Sequence, residues 1–230
     1  MMNFTKLAFN PLGRMNEIVR YSSVYQETNE TLAEHVSEVS MMSYLIVKTI
    51  SSMTHNTETF DIGLLLEKCL LHDADEVITG DIPRNTKYAT NETHKQLNKV
   101  AEDAVEMVEK SLDCVVDLKS VTEKAKEGKE GFILKICDML VVVKKAITEV
   151  ELRGNLSFLK VVTELKGHLT RMTEILKTEE VAQTFTVPES VEYLSSLVEQ
   201  AKDEITTICV KYNHVIDKYM IYENVIRGEG

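Results

Sequence analysis

Four polar side chains, His72, Asp73, Asp75 and Glu76, follow directly on an apolar run that includes Ile62, Leu64, Leu65, Leu66, Cys69, Leu70 and Leu71. Carrying a carboxylate or an imidazole into an interior is costly unless the group pairs or holds a metal. The periodicity predicts a helix over 62–79, on which Leu65, Cys69, His72 and Glu76 share one face. Gly80 and Pro83 end it, and Asp81 and Arg84 fall in the loop beyond. Two more groups are out of place in the same way. His35 lies on the stripe His35, Val39, Met42, Ile46 of a helix whose start is marked by a capping box at Thr31 and Glu34. Alone, it reads as a core histidine. Asp138 is the only acid in the apolar run 132–143, with Leu134, Val141 and Val142 as its helical neighbours. It needs either a salt bridge or a metal.

Three separate helices therefore offer His35, the pair His72 and Asp73, and Asp138. Two imidazole nitrogens and two carboxylates form a mixed N/O set that suits borderline divalent ions such as Mn²⁺, Fe²⁺, Co²⁺ or Zn²⁺. Such an ion acidifies water, from a pKa of 15.7 to about 7 in favourable cases, and neutralises phosphate charge.

The elements that must position these groups are helical throughout. The chain of 230 residues is 43% hydrophobic with only 9 Gly and 3 Pro, and helix-period patterns favour an all-α fold with one main core. A first helix is expected over 14–20, with Met15, Ile18 and Val19 inward, then a polar loop over 22–29. The helix of His35 runs to a loop at 51–61, in which His55 reads as solvated. A helix over 91–112 has the stripe Leu97, Ala101, Ala104, Val108, Leu112, with His94 one turn earlier in a packing role. The charged segment 117–131 reads as a mobile connection, and further helices are expected over 132–150, 156–177 and 188–222. The last carries an extended apolar stripe from Leu194 to Tyr219.

A net charge of −11 argues against a nucleic-acid polymer as partner, because that affinity comes from clustered Lys and Arg. Cys69, Cys114, Cys137 and Cys209 form no C-x-x-C pair and read as reduced thiols of a cytoplasmic protein. Neither a signal peptide nor a membrane-spanning run is expected.

The pattern H…HD…D resembles the HD-domain metal-dependent phosphohydrolases, and more narrowly the YfbR-like 5′-deoxyribonucleotidases. The resemblance rests on the segments 31–35 and 72–83, on Lys87 and Tyr88, on Cys137 and Asp138, and on Gly154 and Asn155. It covers about 14–199, so residues 1–199 are expected to form the HD domain and 200–230 a C-terminal helical extension packed on the core or on a dimer partner. The resemblance implies a helical bundle with one divalent ion (Mn²⁺, Co²⁺, Fe²⁺, Zn²⁺ or Mg²⁺) at its centre, held by His35, His72, Asp73 and Asp138. It implies Glu76 as the acid that orients or deprotonates the attacking water, and Asp81 as a second acid near the leaving oxygen or ribose. Arg20 takes the place of a phosphate-binding arginine, and Tyr21, Arg84 and Lys87 are expected substrate contacts. Glu76 stands one turn beyond His72, within reach of such a water, and a guanidinium binds phosphate oxygens in bidentate fashion. The expected activity is hydrolysis of deoxyribonucleoside 5′-monophosphates by a homodimer. A dNTP triphosphohydrolase, or a catalytically silent nucleotide-binding HD protein, are the alternatives.

Overall fold

The computed structural model describes residues 5, 8–112 and 116–218. Among these, regular structure is helical, apart from one antiparallel bridge between Val19 and Thr31. The chain divides into two units, one built from residues up to Ser23 with Thr28–Asp138, the other from Val24–Glu27 with residues from Met139 onward.

In the first unit, a 3-10 turn at Pro11–Asn16 stands where a helix over 14–20 was expected. Pro11 fixes the first turn, and the pull of the bridge takes Val19 out of helical geometry into extended pairing. Helix α1, Leu32–Met53, starts on the capping box: Glu34 N–H donates to Thr31 Oγ1 (3.2 Å), and Thr31 N–H donates to Glu34 Oε2 (2.7 Å). Its inner face buries Leu32, His35, Val36, Val39, Ile46, Val47 and Ile50.

The helix expected over 62–79 is two helices, α2 (Ile62–Leu71) and α3 (Glu76–Thr79). No Gly or Pro causes the break. Ala74 and Val77 are fully buried, and a turn at His72–Asp75 is what lets both reach the core with Leu32, Val36, Val105 and Val108. Gly80, at φ 71°, then reverses the chain where an L side chain would be strained. The short α4 (Arg84–Lys87) leads into α5 (Asn91–Ser111), which buries Ala104 and Val108 of the expected stripe together with Val105, while Leu97 and Ala101 are half-buried.

Segment 117–131 is not a mobile connection. It forms α6 (Leu118–Glu123), packed on α2 and α5, and the start of α7 (Gly128–Ile147). Two features pin it. Lys68 Nζ, nearly buried, donates to Lys124 O (2.7 Å) and Glu127 O (2.6 Å), satisfying carbonyls that the helix end leaves open. Gly131 lets α7 approach so closely that an added Cβ would lie 2.6 Å from Ala125 O and 2.5 Å from the Lys126 carbonyl carbon. Leu118 is fully buried in the cluster with Met15, Val105 and Leu112. Leu118→Ala should therefore cost about 2–5 kcal/mol in a denaturant melt. A surface-like change below about 0.5 kcal/mol would contradict this packing.

In the second unit, α7 passes into a π-turn at Thr148–Leu152, and a 3-10 turn at Leu156–Phe158 leads to α8 (Leu159–Ile175), α9 (Glu179–Thr184) and α10 (Pro188–Lys211). Helices α8 and α10 pack together, with Val162, Leu165, Leu169 and Met172 buried on one and Leu194, Val198, Ile205 and Ile208 on the other. Helix α10 crosses position 200 without a break and is interrupted at Tyr212, which caps it after Lys211, and residues 213–218 are helical again. Residues 219–222 of the expected stripe, and Cys114, lie outside the described residues. Glu149, fully buried, accepts from Arg153 Nη1 (2.7 Å), Asn155 Nδ2 (2.8 Å) and Glu27 N–H (3.0 Å), and pairs with Lys145 Nζ (3.1 Å). Burial alone would raise this carboxyl, but the donors hold it down at about 2. Asn155 Nδ2 also donates to Tyr25 O (2.8 Å), so one acid and one amide fix segment 24–27.

Cys69, Cys137 and Cys209 are free thiols. No helix among the described residues is long and apolar enough to cross a membrane.

Candidate metal centre

Three helices and one loop deliver the site, all in the first unit. His72 and Asp73 occupy the turn after α2, Glu76 opens α3, His35 stands one turn into α1, and Asp138 projects from the middle of α7 between the buried Cys137 and Val141. Arg20 and Glu30 flank the Val19–Thr31 bridge, where Arg20 N–H donates to Glu30 O (2.9 Å).

The side chains converge. His35 Nε2 lies 3.1 Å from Asp138 Oδ1 and 3.9 Å from Asp73 Oδ2, and His72 Nε2 lies 3.2 Å from Asp73 Oδ2. One ligand atom each from His35, His72 and Asp73 falls within 4.8 Å of the others. The ring orientations matter as much. His72 Nδ1 faces Cys69 O at 2.8 Å, so Nδ1 carries a hydrogen and Nε2 is the nitrogen turned inward. The Nε2 atoms of both histidines are buried without a satisfied hydrogen bond. Two inward imidazole nitrogens beside two carboxylates fit a divalent ion of the borderline class.

The electrostatics describe a site overloaded with acid. Burial opposes ionisation of Asp73 and Asp138, yet His72 and Arg20 beside the first, and His35 beside the second, hold both well below the usual carboxylate range. Burial likewise works against an imidazolium at His72, but Asp73 and Asp138 hold its proton and push it up to about 9. Glu76 goes the other way: burial, then the charge of Asp73, pushes its carboxyl up to about 9 against the pull of Arg20. Paired acids with pKa values forced apart mark sites of acid–base work.

Arg20 reaches across the acids, with Nη1 3.3 Å from Asp73 Oδ2 and 3.9 Å from Glu76 Oε2. Tyr21 follows at φ 57°, an uncommon conformation for an aromatic residue, and its N–H donates to Asp81 Oδ2 (2.6 Å). That bond brings Asp81 to the rim. Its cost in backbone strain is of the kind that concentrates at functional sites. The other two expected contacts stand apart from the cluster: Arg84 stacks on Tyr88 (4.9 Å to the ring centroid), and Lys87 is close enough to Asp75 to offset part of the rise that burial gives that carboxyl. His94 packs on the other aromatic of this corner, Tyr88, with ring centroids 4.6 Å apart, and His55 is exposed.

Sequence reasoning missed Glu30. Its Oε1 lies 3.6 Å from Arg20 Nε and 3.8 Å from His35 Nδ1, behind both. A lone Glu in a polar loop carries no periodic signal, and only its place directly before the capping box marked it as well ordered.

The family model described as 5′-deoxynucleotidase YfbR-like matches residues 8–188. The 5′-deoxynucleotidase YfbR of Escherichia coli (O1:K1 / APEC) is 29% identical over 167 residues, covering 70% of this chain and 81% of that protein. A 5′-deoxynucleotidase of Shewanella oneidensis is 33% identical over 92 residues, 40% of this chain, and there the match spans only 46% of the relative. Among solved structures, an HD-domain phosphohydrolase from Listeria innocua aligns with a TM-score of 0.62 at 22% identity, covering 88% of this chain and 98% of that one. The HD phosphohydrolase DatZ of cyanophage S-2L, solved with dA and one catalytic Zn²⁺, aligns with a TM-score of 0.52 at 16% identity, covering 90% and 98%.

Proposed function

The chain belongs to the YfbR-like 5′-deoxynucleotidase family, and on that premise we propose that it hydrolyses deoxyribonucleoside 5′-monophosphates to deoxynucleoside and phosphate. The observation that carries the reading is the convergence of His35, His72 and Asp73, with Arg20 bridging from Asp73 to Glu76. His35, His72, Asp73 and Asp138 would hold one divalent ion. When bound, that ion supplies Lewis acidity and neutralises phosphate charge. Zn²⁺, Mn²⁺, Co²⁺ or Fe²⁺ suit two imidazoles better than Mg²⁺ does, and the zinc of DatZ on the same fold supports this choice.

Hydrolysis forms a bond from water oxygen to phosphorus and breaks the bond from phosphorus to O5′. Arg20 binds the phosphate oxygens, exchanging its contacts with Asp73 and Glu76 for stronger charge-assisted ones. Glu76, ionised once positive charge enters the site, orients the attacking water and takes its proton. Asp81, whose bond to Tyr21 N–H fixes the rim next to Arg20, is assigned to the sugar end, where the departing O5′ takes up a proton from water that the carboxylate orients, balancing the one Glu76 removes. A triphosphate would call for further cations. Of the two at hand, Arg84 stacks on Tyr88, which leaves fewer free cations for a triphosphate and favours the monophosphate.

The free thiols support a reducing, cytoplasmic setting, and the family resemblance supports a homodimer. Light scattering at micromolar concentration tests the dimer, and a monomer would refute it. The activity is tested by incubating the purified chain with each dNMP, NMP and dNTP, with Mn²⁺, Co²⁺ or EDTA. Inorganic phosphate should come from the dNMPs, stop with EDTA and return with added ion. Tripolyphosphate from a dNTP, or no turnover at all, would overturn the reading.

A further inference from the structure

We propose that Glu30 is a positioning residue that fixes the metal ligand His35 and the phosphate-binding Arg20 together, through one buried carboxylate. The inference rests on the reading of the site as a metal-dependent phosphohydrolase centre. Glu30 Oε1 stands 3.6 Å from Arg20 Nε and 3.8 Å from His35 Nδ1, and its side chain is only 12% exposed. Its backbone is held as well: Glu30 O accepts from Arg20 N–H at 2.9 Å, and Thr31 next to it pairs with Val19 and caps α1. The carboxylate therefore has little freedom to move away from either partner.

The consequences differ at the two ends. At His35, an anion facing Nδ1 favours the tautomer with its hydrogen there, which leaves the Nε2 lone pair facing Asp138 and Asp73. Cys69 O fixes His72 through a hydrogen bond of 2.8 Å, whereas Glu30 acts on His35 across 3.8 Å as a facing charge. Partners of this kind orient ligating histidines and raise their basicity. At Arg20, the carboxylate engages the Nε edge, so the guanidinium plane is set with Nη1 toward Asp73 and Glu76, where the phosphate would enter. A single charge thus sets both the geometry of the ligand set and the angle of the phosphate clamp.

The test uses Glu30→Gln in the full chain, nearly isosteric but uncharged. Calorimetric titration of the metal-stripped protein with Co²⁺ should show affinity lower by about 10–100-fold, the usual loss on removing such a partner. In steady-state assays with a dNMP, Glu30→Gln should raise KM in the wild-type background, but add nothing to KM in the Arg20→Ala background. Glu30→Asp, which withdraws the charge by one methylene, serves if the Gln variant does not fold, and should lose Co²⁺ affinity by a smaller factor. Co²⁺ affinity within twofold of wild type in the folded variant overturns the proposal, even if the melting temperature falls, because a purely structural role would do that. If the wild-type chain itself neither binds Co²⁺ nor turns over a dNMP, the phosphohydrolase reading fails and takes this one with it.

Discussion

Glu76→Gln is expected to lower kcat by roughly 10²–10⁴-fold, the range set by removing a general base, while the purified variant still binds one equivalent of ion. The side chain keeps its shape and loses only its capacity to accept the proton of the attacking water. Its Oε2 is buried with no hydrogen-bond partner in the structure and lies 3.9 Å from Arg20 Nη1, so little else depends on it. Metal content by elemental analysis and single-turnover kinetics decide the matter, and wild-type turnover would remove Glu76 from the chemistry. The same residue makes a second, metal-free prediction. Burial and Asp73 raise its carboxyl to about 9, and His72 is also raised to about 9, by Asp73 and Asp138 against the effect of burial. Groups whose folded pKa is raised contribute stability that is complete below their ordinary values and disappears as pH climbs through the raised ones. The melting temperature of EDTA-treated protein should therefore fall as pH climbs from about 4.5, where the Glu76 contribution begins to go, and more steeply from about 6.5, where that of His72 joins it, up to about 9, and fall less in Glu76→Gln.

Asp73→Ala should abolish both ion binding and turnover. Asp73 Oδ2 lies within 4 Å of His72 Nε2 (3.2 Å), Arg20 Nη1 (3.3 Å) and His35 Nε2 (3.9 Å), so its loss removes one proposed ligand and leaves three cationic or protonatable neighbours to face one another. Breaking a buried pair from one side costs about 3–5 kcal/mol, and the metal-stripped variant should show a loss of that order in denaturant melts. The contrast with Glu76→Gln is the informative part: one variant keeps the ion without activity, the other loses both. A variant at position 73 that still binds stoichiometric Co²⁺ would show that Asp73 is not a ligand.

What the chain discloses unaided divides along physical lines. His35 and Asp138 were legible because each breaks an apolar helical stripe, and the capping box at Thr31 is a local pattern that needs no tertiary context. The break between α2 and α3 was not legible: nothing local interrupts 62–79, and it is the burial of Ala74 and Val77 that bends the chain. Leu118 was hidden in a run of charges, where only Val121 and Ala125, three and seven residues on, share its helical face. The pairing of Val19 with Thr31 is non-local, so both the missing first helix and the placement of Glu30 behind Arg20 and His35 depend on a contact that spacing along the chain cannot express. Arg84, near Asp81 in sequence, stacks on Tyr88, a pairing across four residues that its position alone did not declare.

The contact at Gly131 reaches further than its own neighbourhood. Seven residues on, two turns and about 10 Å along the same side of α7, sits Asp138. Any methyl group at 131 would have to push the helix off Ala125 and Lys126, and a rigid rod displaced at one end carries its far carboxylate with it. The smallest residue in the molecule thus governs, from a distance, how well Asp138 meets the two imidazoles.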